Sequence, residues 1–318
     1  MIKILANDGI SSNGIEKLES NGFIVLTDTV AQLDLVKYIN ENKISVLLVR
    51  SATKARKDLI DSCPTLKVIG RGGVGMDNID VEYAKEKGIK IINTPAASSN
   101  SVAELVFAHL FGLVRFLHSS NRQMPMEGDT NFKELKKSFS SGKELAGKTL
   151  GIIGFGRIGQ EVAKKAIGLG MNIIVHDKFI QDADVTLNFF NGDKKTFNIE
   201  SQSLEKVLKE SDFITVHVPK IDNKAIIGAN EIGLMKTGAG IINTSRGGVI
   251  DETALMFALD KEKLAYAALD VFENEPKPSM HLLMHNALSL TPHIGAATKE
   301  AQQRIGDELA IQIISLLK

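Results

Sequence analysis

The sequence predicts an α/β protein of two doubly wound, parallel-sheet domains, and three observations carry that reading. Short apolar runs alternate with helical patterns up to about residue 98, and a second such series starts at Thr149. At 318 residues the chain is longer than one hydrophobic core comfortably fills. A glycine pattern of the kind that opens a nucleotide-binding sheet follows the first strand of the second series.

In the first series, strands are expected at 2–6, 23–27, 46–50, 67–70 and 90–93, with helices at 14–21, 55–62 and 81–87 between them. Residues 99–118 read as one amphipathic helix. Ser98 or Ser99 can cap it, and Val102, Leu105, Val106, Leu110, Leu113 and Leu117 recur at helical spacing. Residues 121–146 are polar and aperiodic, as expected of an irregular crossing between domains. The second series places strands at 149–153, 172–176, 213–217, 240–243, 265–270 and 288–291, and a closing helix at 297–317. Two alternating runs around Asn191 and Gly192 predict a β-hairpin over 185–199, read as a surface insertion.

Composition narrows the function. Hydrophobic content of 43% and charged content of 24% are those of a globular protein. Lys+Arg and Asp+Glu are equal at 38, which argues against a general nucleic-acid or membrane-surface role. Cys63 is the single cysteine, so no internal disulfide forms. No apolar run approaches the ~18 residues of a membrane span. The first residues read as a strand without a targeting leader. A cytoplasmic location is expected.

Gly154, Gly156 and Gly159 form G-x-G-x-x-G between an apolar strand and a helical run. The first glycine permits the tight turn, the second lets backbone approach a pyrophosphate, and the third lets helix pack on strand. The helix N-terminus then offers unpaired N–H groups to phosphate. Asp177 ends the next strand, where a carboxylate can take both ribose hydroxyls and repel a 2′-phosphate. NAD is therefore favoured over NADP, a preference that the neighbouring Lys178 weakens slightly.

Three further groups follow apolar runs near the C-terminus: Arg246, Glu275 and His293. Arg246 can grip a carboxylate bidentately, and Gly247 and Gly248 beside it suit close backbone approach. His293 is the natural proton acceptor near neutral pH, and Glu275 could fix its tautomer and favour the imidazolium. Each also has a bland reading: a turn arginine, a solvated loop acid, a structural histidine. Their shared position at strand ends, where open α/β sheets bind ligands, favours a site. His109, His118, His176, His217, His281 and His285 are left as structural. No metal is expected.

The motifs at 154–159, 215–219, 243–251, 268–272 and 292–300 resemble those of the D-2-hydroxyacid dehydrogenases. The resemblance covers essentially the whole chain and is nearest to the phosphoglycerate dehydrogenases of that family. It implies that Arg246, Glu275 and His293 are catalytic. It further implies that Arg157, Ile158, Asp177, Val218, Pro219, Thr244, Asp270, His293 and Ala296 join the glycines in contacting NAD. Segments 49–54 and 69–78 resemble the phosphoglycerate enzymes in particular. There Val74 and Gly75 would help hold the substrate carboxylate, and Arg50 and Arg71 would face its phosphate; alternatively, Arg71 braces its own loop.

The resemblance implies an NAD-binding Rossmann domain at 99–292, inserted into a substrate domain of 1–98 plus 293–318. The active site is expected in a cleft whose closure excludes water. The expected reaction is oxidation of 3-phospho-D-glycerate, with a glyoxylate or hydroxypyruvate reductase, or a non-enzymatic NAD-sensing corepressor, as alternatives. The C-terminal regulatory domain of longer relatives is expected to be absent. A homodimer through the NAD domain is the family expectation.

Overall fold

A computed structural model describes residues 1–220 and 224–318. They form two compact units, Met1–Ser101 with Ala296–Lys318, and Val102–Gly295. The first unit is thus discontinuous, its second piece starting at Ala296.

In the first unit β1 (Lys3–Ala6), β2 (Ile24–Leu26), β3 (Val46–Val49), β4 (Val68–Arg71) and β5 (Lys90–Asn93) make a parallel sheet in the order β2-β1-β3-β4-β5. Every residue of β3 is buried, as a strand covered on both faces requires. The helices are α1 (Ser12–Glu19), α2 (Leu35–Asn42), α3 (Lys57–Ser62) and α4 (Val81–Glu86). Helix α2 is missing from the expected elements although it is amphipathic: Leu35 and Ile39 are buried, and Val36 and Tyr38 pack beside them.

The long helix α5 (Ser99–Val114) leads into the second unit. It does not run to 118: Phe116 takes a left-handed φ of 54°, and α6 (Leu117–Glu127) starts beyond it. The expected irregular crossing at 121–146 holds the rest of α6 and then α7 (Phe132–Ser138). Helix α6 buries no residue, so its sequence carries no apolar stripe to read. No single described helix is long and apolar enough to cross a membrane. The pair α5–α6 meets the length and composition criteria only together, bent by 54°.

The second sheet comprises β6 (Thr149–Ile153), β7 (Asn172–His176), β10 (Phe213–Val216), β11 (Ala239–Asn243), β12 (Leu264–Leu269) and β13 (Leu288–Leu290), parallel in the order β13-β12-β11-β10-β6-β7. Between β7 and β10 lies an antiparallel ribbon, β8 (Asp182–Asn188) and β9 (Lys194–Glu200). Helices α8 (Arg157–Gly168), α9 (Leu204–Glu210), α10 (Ala229–Leu234), α11 (Glu252–Asp260) and α12 (Met280–Leu283) complete the unit. Alternation along the strands builds two cores: Ile214 and Val216 join Leu255 and Leu259 on one face, and Phe213 joins Phe107, Leu110 and Val162 on the other. The ribbon is the predicted hairpin, but it is not merely a surface insertion. Val185 is fully buried in the second of these cores, with Ala183, Leu187 and Ile199 packed beside it.

The last helix, α13 (Lys299–Leu317), returns to the first unit and packs on α1. A Cβ on Gly14 would lie 3.0 Å from the Gly306 backbone, so the two helices cross with little room for side chains. The Lys17 Nζ to Asp307 Oδ1 contact of 2.6 Å ties their outer edge.

Candidate active site

Both sheets are doubly wound, and in the second the chain reverses its winding at β6, flanked by β7 on one side and β10 on the other. The loops that leave the carboxyl ends of such strands are where this architecture binds ligands. The fingerprint leaves β6. Gly154 has φ of +94°, and a Cβ there would lie 2.5 Å from the His217 carbonyl, so only glycine fits. A Cβ on Gly159 would overlap the Gly154 carbonyl, which is the close helix–turn packing expected of the third glycine. Gly156 faces open space at the start of α8, a helix with no side-chain cap, next to Arg157 and Ile158.

Asp177 follows β7. Its Oδ2 accepts from Phe155 N at 2.7 Å, and its Oδ1 from Phe179 N at 2.8 Å and Ile180 N at 3.0 Å. Burial raises its pKa, but these backbone N–H groups more than offset that and hold the carboxyl below its ordinary range. A carboxylate has about four acceptor sites. The three backbone donors therefore leave roughly one for a ribose hydroxyl in this conformation. Val218 and Pro219 follow β10, and Thr244 follows β11 with a buried hydroxyl that has no partner. The uncapped helix start, the open space at Gly156 and this unpartnered hydroxyl fit a dinucleotide.

Arg246, Glu275 and His293 leave three neighbouring strands, β11, β12 and β13. Asn243 shapes the first loop: its Oδ1 accepts from Ser245 N and Oγ, and its Nδ2 donates to Arg246 O at 2.9 Å. Arg246 Nη1 donates to Ser245 O at 2.7 Å. A Cβ on Gly247 would overlap the Phe272 carbonyl, so the arginine loop is seated directly on the loop that carries Glu275. Glu275 Oε1 accepts from Phe272 N at 3.0 Å, and Oε2 lies 2.9 Å from His293 Nδ1. With Nδ1 engaged, Nε2 of His293 is the ring nitrogen left for chemistry.

His293 itself has φ of +55°. Asp270, only 1% exposed, holds that turn: its carbonyl accepts from His293 N at 2.9 Å, its Oδ1 from Ile294 N at 2.8 Å and its Oδ2 from Gly295 N at 2.9 Å. The resemblance implies that Asp270 contacts NAD; in the structure both of its carboxylate oxygens are engaged within the chain, at the His293 turn. Ala296 begins the returning segment of the first unit. Among the described residues no three His, Cys, Asp or Glu side chains are grouped to hold a metal ion.

In the first unit Arg50 follows β3. Its backbone N donates to Asp8 Oδ2 at 2.6 Å, and its buried Nε has no partner. Burial lowers the guanidinium pKa, partly countered by Asp8. Arg71 follows a different course: Nε donates to Arg50 O at 3.4 Å and Nη1 to Gly75 O. Val74 is partly exposed, and its carbonyl accepts from Asn93 Nδ2 at 2.8 Å.

Residues 107–295 match the family model of the D-isomer specific 2-hydroxyacid dehydrogenase, NAD binding domain. The chain belongs to the D-2-hydroxyacid dehydrogenases, NAD-dependent oxidoreductases of small 2-hydroxy acids. It is 42% identical to a hydroxypyruvate reductase of Thermotoga maritima over 99% of this chain and 98% of that one. It is also 42% identical to a D-3-phosphoglycerate dehydrogenase of Methanocaldococcus jannaschii, where it covers 100% of this chain but 58% of the relative. A solved glyoxylate reductase from Paecilomyes thermophila superposes with a TM-score of 0.82 at 29% identity, over 100% of this chain and 95% of that one.

Proposed function

We propose that the chain oxidises 3-phospho-D-glycerate to 3-phosphohydroxypyruvate, the entry to serine synthesis, with His293 as the acid–base residue. The observation that carries the chemistry is the 2.9 Å contact of Glu275 with His293 Nδ1. It orients the ring and leaves Nε2 to take the C2 hydroxyl proton as the carbonyl forms, or to return it in reduction. Arg246 pairs with the substrate carboxylate, its loop held by Asn243 and by the Gly247 contact. The α8 N-terminus would hold the pyrophosphate of NAD, with Asp177 at the ribose and Val218, Pro219 and Thr244 along the rest of the dinucleotide. NAD, when bound, supplies the hydride acceptor for C2.

The substrate's phosphate is assigned to Arg50, whose half-buried guanidinium keeps a buried Nε without a partner. Arg71 supports it less directly, because two of its guanidinium nitrogens are engaged with backbone carbonyls. The second reading, a hydroxypyruvate or glyoxylate reductase, is favoured by the full-length similarity to the Thermotoga enzyme. Steady-state turnover of 3-phosphoglycerate, D-glycerate, glyoxylate and hydroxypyruvate separates the two. Loss of one charge-assisted contact costs roughly 1.5–3 kcal/mol, or one to two decades in kcat/KM. Arg50→Ala is therefore expected to impair 3-phosphoglycerate by that factor and to spare D-glycerate. Equal losses on both substrates, or a parent that prefers hydroxypyruvate, would overturn the phosphate assignment. We further propose a cytoplasmic homodimer joined through the second unit, supported by exposed Phe111, Leu117, Met126 and Phe132 on α5 to α7; light scattering tests the dimer and cell fractionation the location.

A further inference from the structure

Beneath the His293 turn lies a chain of polar side chains in a place where the sequence suggests only core. His109 sits on α5 and is 4% exposed. Its Nδ1 lies 2.8 Å from Ser289 Oγ and its Nε2 3.1 Å from Thr291 Oγ1. Thr291 Oγ1 in turn donates to Asp270 Oδ1 at 2.6 Å. For a neutral ring these contacts have one consistent direction. A hydroxyl has a single proton, and the Thr291 proton goes to the carboxylate, so Thr291 must accept from His109. His109 is then protonated at Nε2, and its Nδ1 accepts the Ser289 hydroxyl proton. Burial lowers the His109 pKa, in keeping with a neutral ring that has one donor and one acceptor.

The far end of this chain is the anchor of the catalytic turn. Asp270 holds Ile294 N and Gly295 N with its carboxylate and His293 N with its carbonyl. Residue 293 is in the left-handed region, which a non-glycine residue keeps only when its surroundings enforce it. The rotor of Thr291 decides whether Oδ1 of Asp270 receives its second hydrogen bond, and His109 decides the rotor. We propose that His109 is a positioning residue for the reaction: as the Nε2–H tautomer it directs the Thr291 hydroxyl onto Asp270 and so fixes the turn that presents His293. Ser289 fixes the tautomer from the opposite side of the ring. The inference rests on the reading of His293 as the acid–base residue.

The test compares a variant that keeps the donor with one that lacks it. In His109→Gln a side-chain amide N–H can replace Nε2–H; in His109→Leu nothing can. Loss of one buried neutral hydrogen bond corresponds to roughly three- to tenfold in rate. His109→Leu is expected to lower kcat by about that factor while the KM values for NAD and substrate stay within about twofold, and His109→Gln to recover most of the loss. If His109→Leu does not fold, Thr291→Val against Thr291→Ser makes the same comparison, serine keeping the hydroxyl. Nitrogen-15 spectra of the histidine-labelled protein should show His109 protonated at Nε2. An Nδ1–H tautomer, or equal kcat in the Leu and Gln variants, would overturn the proposal. His293→Ala is the control: if it retains activity, the acid–base reading fails, whereas loss of activity there with indifferent His109 variants removes the positioning role alone.

Discussion

Gly247 shows how much of this site depends on backbone meeting backbone. A methyl group at that position would overlap the Phe272 carbonyl and lie 2.9 Å from Glu273 N, neither of which is a flexible side-chain end. Two loops that carry different functional groups are therefore held together at a residue with no side chain. Gly247→Ala is expected to destabilise the second unit by roughly 1–3 kcal/mol, as overpacking does. Because the shift falls between Arg246 and Glu275, kcat/KM should fall by more than stability alone explains. Urea unfolding and steady-state kinetics on the same preparation check this, and unchanged kinetics would mean that the loops are not coupled here. The glycine pair after Arg246 was legible in the sequence as a place of close approach. The group it approaches was not, because Phe272 is 25 positions away in sequence, and only the adjacency of β11 and β12 brings it opposite.

At the level of elements, the reading from sequence succeeds where a pattern is local and fails where packing decides. Strand β7 and the Asn191–Gly192 turn follow from apolar runs and turn chemistry. Helix α6 escapes because it buries no residue and leaves no apolar stripe, whereas α2 has an apolar face and its omission has no such physical cause. The β8–β9 ribbon combines both cases: its alternation predicts the hairpin, but not that one face seats on the core. Its two ends should therefore respond differently to substitution. Val185 is fully buried, whereas Phe190 at the tip is fully exposed. Val185→Ala removes buried methyl groups and leaves a cavity, an expected cost of roughly 1.5–3 kcal/mol. Phe190→Ser should stay within about 0.5 kcal/mol of the parent. Similar unfolding midpoints for the two variants would return the whole ribbon to the role of a surface insertion.

The chain as a whole divides its histidines unevenly. All seven histidines, from His109 to His293, lie within 102–295, so the first unit contains none. Among the described histidines of the second unit, His217 carries the largest downward shift. Although part of the residue reaches solvent, its Nδ1 is enclosed without a partner, and Nε2 is 2.9 Å from Thr215 Oγ1. Burial pushes its pKa down from 6.5 to about 3. The unfolded chain therefore takes up a proton below pH 6.5 that the folded unit refuses until about pH 3. Stability from this group is fully present above 6.5 and is lost as pH falls, by about 1.4 kcal/mol per pH unit inside the window. His109, also lowered by burial, acts in the same direction. In the first unit the carboxyl groups with a shifted pKa are Asp61 and Asp80, both lowered from 3.8, so their stabilisation is lost only below that value. Acidification from neutral to about pH 5 should thus loosen the second unit selectively. Hydrogen exchange resolved by peptide is expected to show protection falling in 102–295 while 1–101 holds. His217→Gln should flatten that pH dependence, because an amide binds no proton in the window. Parallel loss of protection in both units, or an unchanged slope in the variant, would show that acid sensitivity arises elsewhere.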